Sequence, residues 1–411
     1  MSTLAFNIFG INLSGNEIVA QGSAAETHKD ILADPSLSSE PPALQWSKFY
    51  GGPDPDYGVS AVQTSDGGYA LAGMTESFGT GGLDAWLVRT DQDGNWLWHK
   101  TYGGASEDMG LSVLQTNDGG FAIAGAARSY SAQQRRELWL VKTDDGGNEL
   151  WSRTYGDVQL NGLDPPYGCV SLIKTDDGGY AMVATRAWAV LLVKTDASGI
   201  QEWWKTYTRG QGAEAGSLIQ TGDGGYAIVG QTWHSQFLTD VWLVKTDSSG
   251  NMLWDRTYGG ADLEKGHSII ETSDGGYAIA GSAKWFASDY LLIKTDGSGN
   301  TEVSKLYDGG VSVDIARSVV ETTDGGYAIF GSWYTNFFDL GLVKTDRYGN
   351  MEWKKVIATA QADHGYSVIQ TVDGGYALLG IPRYGPYGQE DFWLVKVAAE
   401  FKHESILIID D

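Results

Sequence analysis

Three carboxylate positions recur along this chain at spacings that invite a chemical reading. One acid stands ten residues before each Asp-Gly-Gly tripeptide: Asp56, Asp108, Glu264, Asp314 and Asp363, with Tyr167 and Ala213 in the slot in two repeats. A second precedes an apolar run at Asp84, Glu137, Asp240, Asp289, Asp339 and Asp391, with Ala189 the exception. A third opens D-x-x-G-N turns, nearest to a calcium loop in "DQDGN" (Asp91 to Asn95). A calcium loop gathers several converging oxygens and a distal Glu. Most copies here supply only the leading Asp, so ordinary turn chemistry is the reading adopted and no metal ligand is assigned. The two other acids read either as a carboxylate ring that binds a cation or as acceptors for backbone N–H groups at strand starts. As structural acids they would alternatively pair with the base repeated at Arg89, Lys142, Lys194, Lys245, Lys294, Lys344 and Lys396. Recurrence in nearly every repeat favours a structural role, because a reaction site breaks symmetry.

Other catalytic arrangements are missing from the sequence. It carries no metal-type His/Cys cluster, no Gly-x-Ser-x-Gly and no phosphate loop, so no catalytic residue and no cofactor are assigned. His234, His267 and His364 fall in or near loops expected on one side of the fold. Cys169 is the only cysteine, which rules out an intramolecular disulfide and leaves the redox compartment open.

The formal net charge of −24, without any basic tract, argues against nucleic acid as a partner and suits a soluble acidic surface. No run approaches the ~18 apolar residues of a membrane span. The beginning, "MSTLAFNIFGINLSGNEIVAQGSAA", has an apolar stretch followed by "VAQG" that resembles a signal-peptide remnant, but it lacks a basic leading region.

The elements that must position these residues are repeated. "DGGY" or "DGGF" begins at Asp66, Asp118, Asp177, Asp223, Asp274, Asp324 and Asp373, seven copies spaced 46 to 59 residues apart. Each sits within four short β-rich segments separated by Gly, Asp and Asn turn signals. A four-stranded unit of about 50 residues in tandem is the mark of a β-propeller. The predicted fold is all-β, with seven blades of four antiparallel strands each. "LQWSKFYGG" (Leu44 to Gly52) is a fourth strand without its first three, while the seventh repeat ends at "DFWLVKVA" without its fourth. One N-terminal strand is therefore expected to join three C-terminal ones, since an open ring exposes two sticky edges. The expected organisation is an N-terminal tail over 1–43, the propeller over 44–397 and a C-terminal tail over 398–411.

The spacing D-x-x-G-x-x-x-W recurs as Asp91/Gly94/Trp98, Asp144/Gly147/Trp151, Asp196/Gly199/Trp203, Asp247/Gly250/Trp254 and Asp346/Gly349/Trp353, with Val303 replacing the sixth Trp. It resembles the tryptophan-docking repeat of quinoprotein-like propellers, in which the indole packs on the neighbouring blade. The wider "DGGYAIAG…WLVKTDxxGNxxWxKTYGG" pattern is also similar to repeats of archaeal and bacterial cell-surface proteins. The resemblance implies a propeller scaffold, exported or at the cell surface. Quinone dehydrogenases of that group are typically eight-bladed and several carry a vicinal cysteine pair, so their catalytic set does not transfer.

What differs between repeats is the loop after each "YAIAG" segment: "TWHSQFLT", "AKWFAS", "SWYTNFF" and "PRYGPYGQE" among others. Binding resides on variable loops of rigid scaffolds, and exposed aromatics suit sugars or extended peptides. The candidate ligand-binding residues are Trp233, Phe237, Trp285, Phe286, Trp333, Tyr334, Tyr384 and Tyr387. The expected function is non-enzymatic binding or scaffolding, with a glycan or protein partner. Two other classes stay open: an enzyme of lyase, glycosidase or quinone-dependent type in the central channel, and a subunit that assembles through its tails.

Overall fold

The computed structural model describes residues 40–159, 169–235, 238–283, 288–307, 313–387 and 389–400. The two expected tails lie almost wholly outside these residues. Strands account for the regular structure, β1 (Leu44–Tyr50) being the first and β28 (Phe392–Val397) the last. They form seven sheets of four antiparallel strands. Blade one is β2 (Asp56–Gln63), β3 (Tyr69–Thr75), β4 (Asp84–Thr90) and β5 (Trp96–Tyr102), joined in chain order. The first strand of each blade lies beside the first strands of both neighbours, and β26 (Asp363–Gln370) of blade seven comes back against β2. The array is a closed ring, a seven-bladed β-propeller.

Closure follows the expected route. Blade seven has the order β1-β28-β27-β26, with β27 spanning Tyr376–Pro382. Trp46 pairs with Lys396, Phe49 with Trp393 and Tyr50 with Phe392. The Phe49 and Trp393 rings stack at 5.5 Å, and the Trp393 indole N–H donates to Ser47 Oγ at 2.7 Å.

Turn chemistry builds each blade. Thr64 N donates to Gly68 O and Gly67 N to Thr64 O, while the Thr64 hydroxyl donates to Asp66 Oδ1 at 2.6 Å. In the next turn, Asp91 Oδ1 accepts from Asn95 N at 2.8 Å and Oδ2 from the Asn95 amide at 2.9 Å. These carboxylate oxygens close the turn, as the ordinary turn reading requires. The middle strands are buried on both faces, as β3 and β4 show throughout, because each is covered by two neighbouring blades.

Neighbouring blades lock through one repeated device. Trp98 lies over Gly147, where a Cβ would stand 2.5 Å from the indole and φ is +75°. Only glycine admits both that conformation and that approach. The same indole stands edge-on to Phe121 at 5.9 Å, and the Tyr102 hydroxyl donates to Gly147 O at 2.7 Å. Trp46 over Gly94, Trp151 over Gly199, Trp203 over Gly250 and Trp254 over Gly299 repeat the arrangement, with Val303 over Gly349.

Candidate functional site

Antiparallel pairing puts both acid positions on one face of the ring. Asp56 opens β2 opposite Thr75, and Thr75 pairs in turn with Asp84 at the start of β4. These acids accept backbone N–H groups of the loops above. Asp56 Oδ2 takes Gly52 N at 2.8 Å, and Asp84 Oδ2 takes Thr80 N at 2.8 Å. Asp108 takes Gly104, Arg128 and Ser129 N–H at 2.8, 2.9 and 3.1 Å. The repeated base is paired elsewhere: Lys142 reaches Asp118 and Lys245 reaches Asp223, both at 2.8 Å, at the opposite ends of the strands. The expectation that base and strand-start acids pair is thereby corrected. The lysine is held at the far end by the Asp of its own blade's Asp-Gly-Gly turn.

Carboxylates of adjacent blades also converge. A Cβ on Gly51 would stand 1.9 Å from Asp391 Oδ1 of blade seven and 3.0 Å from Asp56 Oδ2 of blade one. Asp84 and Asp108 flank Gly103 in the same way, and Asp240 and Glu264 flank Gly259. Burial, reinforced by Asp56 and Glu390, pushes Asp391 up to about 7, and burial likewise raises Asp56, Asp84 and Glu264. Asp56 and Asp391 are both 0% exposed, so these carboxyls lie beneath the loops and out of solvent.

The histidines do not gather. His234 faces Asp240 at 3.5 Å in blade four, and His364 of blade seven lies within 3.3 Å of Ser332 Oγ. His267 is partly buried in blade five, where desolvation of its ring holds it down at about 3.

The loop aromatics divide. Trp333 is 2% exposed and belongs to the core, a correction to its assignment as a ligand contact. β23 runs Tyr327–Tyr334, so Trp333 pairs with Asp339 inside the ladder, and its indole packs edge-on to Tyr290 at 5.0 Å with Lys354 Nζ 4.9 Å from the ring. Tyr334 is partly buried against Phe338 at 5.5 Å. Tyr384 and Tyr387 stand 50% and 51% exposed in the blade-seven loop, and Trp233 is partly exposed at the end of β15 (Tyr226–Trp233). Phe237, Trp285 and Phe286 lie outside the described residues.

One aromatic escaped the sequence reading. Trp188 is 50% exposed on the turn between β11 (Tyr180–Arg186) and β12 (Ala189–Thr195). Arg186 pairs with Ala189, so the turn holds two residues, Ala187 at φ +50° and Trp188 at φ +61°. A left-handed conformation costs a residue with a side chain about 1–2 kcal/mol, and Gly or Asn would fill this turn more cheaply. Trp188 meets Trp233 of the next blade edge-to-face at 5.4 Å. Ala189 follows Trp188 directly and Ala213 N–H donates to Trp188 O, so this seam holds two of the three slots in which an acid is replaced. The absence of both acids at one seam was the available signal, but the loop was too short to register as a variable one.

No protein-family model and no curated protein sequence matches this chain. Solved structures show the same architecture at low identity. The chain is similar to the Neurospora crassa Pan2 WD40 domain at 8% identity and a TM-score of 0.54, covering 85% of this chain and 91% of that one. It is similar to an ulvan lyase bound to -[GlcA(1-4)Rha3S]- at 10% identity and 0.57, covering 90% and 96%. A third likeness is YCF48 bound to D1 peptide, at 13% identity and 0.51, covering 88% and 100%. At these identities the fold alone is shared.

Proposed function

We propose that this protein is a non-enzymatic binding propeller, exported or displayed at the cell surface, that recognises a glycan or protein through one face of the ring. The observation that carries the reading is the exposed rings on that face, Tyr130, Trp188, Phe337, Tyr384 and Tyr387 among them, with Trp233 against Trp188. A rigid ring presents them from its loops, which is where propeller-like scaffolds concentrate recognition. The solved structures it resembles include one bound to a peptide and one bound to a polysaccharide, which makes both ligand classes candidates. The surface location rests on the resemblance of the repeats to those of archaeal and bacterial cell-surface proteins, and the tryptophan-docking kinship belongs to the same proposal.

The test is a screen of the purified protein on glycan and peptide arrays beside a Trp188→Ala/Tyr384→Ala/Tyr387→Ala variant. Binding is expected to be lost while the melting temperature stays close to wild type, because all three rings are half in solvent. Equal binding by the triple variant rejects the recognition face.

A further inference from the structure

We infer that the seam between blades three and four is a carbohydrate subsite, in which Trp188 and Trp233 form the walls of a corner that takes one pyranose ring. The inference rests on the binding role proposed above and narrows it to a ligand class and a place. It is the one seam at which the sequence lacks both strand-start acids. At the seam between blades seven and one, Asp391 and Asp56 occupy the two strand starts, and Asp84 with Asp108 or Asp240 with Glu264 do so at others. Here Ala189 and Ala213 stand instead, and both are buried. Two carboxyls are thus replaced by methyl groups on residues that adjoin Trp188 in sequence or by hydrogen bond.

The corner is held rigidly. Trp188 O accepts from Ala213 N at 2.8 Å, and Trp233 is tied on both sides, by its N–H to Gly212 O at 3.0 Å and by its carbonyl to Gln211 N at 2.8 Å. A Cβ on Gly212 would stand 3.0 Å from Trp188 Cβ and 3.7 Å from the Trp233 ring, and φ there is +150°, so the linker packs closely between the two residues. The rings meet at 87°, leaving Trp188 half open to solvent. Gln159, Arg209, Gln211 and His234 are exposed on the segments that adjoin the two tryptophans and offer both donors and acceptors. Gln159 Oε1 lies 3.3 Å from Trp188 N, and Arg209 is paired with Asp255.

A flat apolar face bordered by hydrogen-bonding side chains matches a pyranose, which offers C–H groups on one face and hydroxyls around its edge. A protein interface needs about 800 Å² per partner. Two partly exposed indoles, from side chains that bury about 150–250 Å² each when covered fully, fall well short of that.

The experiment is affinity electrophoresis in native gels containing xylan, mixed-linkage β-glucan, dextran or polygalacturonate, with an immobilised peptide library in parallel. We expect at least one of these polysaccharides to retard the wild type. Trp188→Ala is expected to weaken that retention roughly tenfold or more, with Trp188→Tyr retaining most of it and Tyr348→Ala, an exposed ring in the Asp346–Asn350 turn at the opposite ends of the strands, leaving it intact. Full retention by Trp188→Ala, with loss in Tyr384→Ala/Tyr387→Ala, overturns the subsite and keeps the binding face. Trp188-dependent binding of peptides without polysaccharide retention overturns the carbohydrate assignment. Binding of neither class overturns both readings.

Discussion

The buried carboxyl of Asp391 has a measurable consequence. Burial raises it from its ordinary 3.8 to about 7, so the folded protein keeps this proton where the unfolded chain releases it. Its stabilising contribution is complete below pH 3.8 and disappears as pH rises through about 7. His267, held down at about 3, acts in the opposite direction as pH falls below 6.5, so the net pH profile mixes the two. The informative measurement is therefore a difference. Urea unfolding of wild type and Asp391→Asn at pH 5 and pH 8 should show the variant gaining, relative to wild type, on the order of 2 kcal/mol at the higher pH once partial screening is allowed for. A difference that does not change with pH would mean that Asp391 is ionised in the fold. The core tryptophan that the sequence placed among the ligand contacts and the exposed one that it missed should also part company. Trp333→Ala removes a core side chain and is expected to cost about 3–5 kcal/mol, whereas Trp188→Ala should leave the melting temperature almost unchanged.

At the scale of the blade, the docking indole, its glycine and the tyrosine hydroxyl form one inter-blade joint. Gly147→Ala forces a methyl against the Trp98 ring at a positive φ and should cost about 1–3 kcal/mol, while Tyr102→Phe should cost about 1 kcal/mol by leaving the Gly147 carbonyl unpaired. Chemical denaturation of both variants checks the order. The first half of this joint was legible in the sequence, since each D-x-x-G-x-x-x-W repeat supplies the glycine of one joint and the indole of the next. The hydroxyl was not, because Tyr102 and Gly147 are 45 residues apart and nothing local relates them. Strand ends were the other blind point. The segment "SWYTNFF" looks like loop by its variability, yet the ladder continues through Trp333 and Tyr334, and alternation turns the first of these inward. For Trp188 the error ran the other way, because a two-residue turn leaves no variable segment to notice.

At the scale of the whole ring, the closure could be read from the ends of the chain because each lacked what the other carried. The exposed rings could not, since exposure depends on how loops lie over blades they are not part of. Deleting residues 1–50 should leave the edge of β28 bare and Gly94 without Trp46 and Tyr50. The truncated protein is expected to melt lower and to self-associate beyond the wild type in size-exclusion chromatography, and a synthetic peptide of residues 40–52 added in trans should restore the wild-type elution. A truncated chain that stays monomeric at the wild-type melting temperature would show that blade seven is stable with three strands.

The pairing direction of the closing strands carries a mechanical consequence. Leu44 and Val397 form the first rung, and just beyond it Ala398 N donates to Ala43 O at 2.9 Å, so the chain enters and leaves the wheel side by side. Tension drawn outward through those two points does not load the rungs together; it peels them singly from Leu44 toward Tyr50. The clasp that completes the circle is thus also where a modest pull would unfasten it.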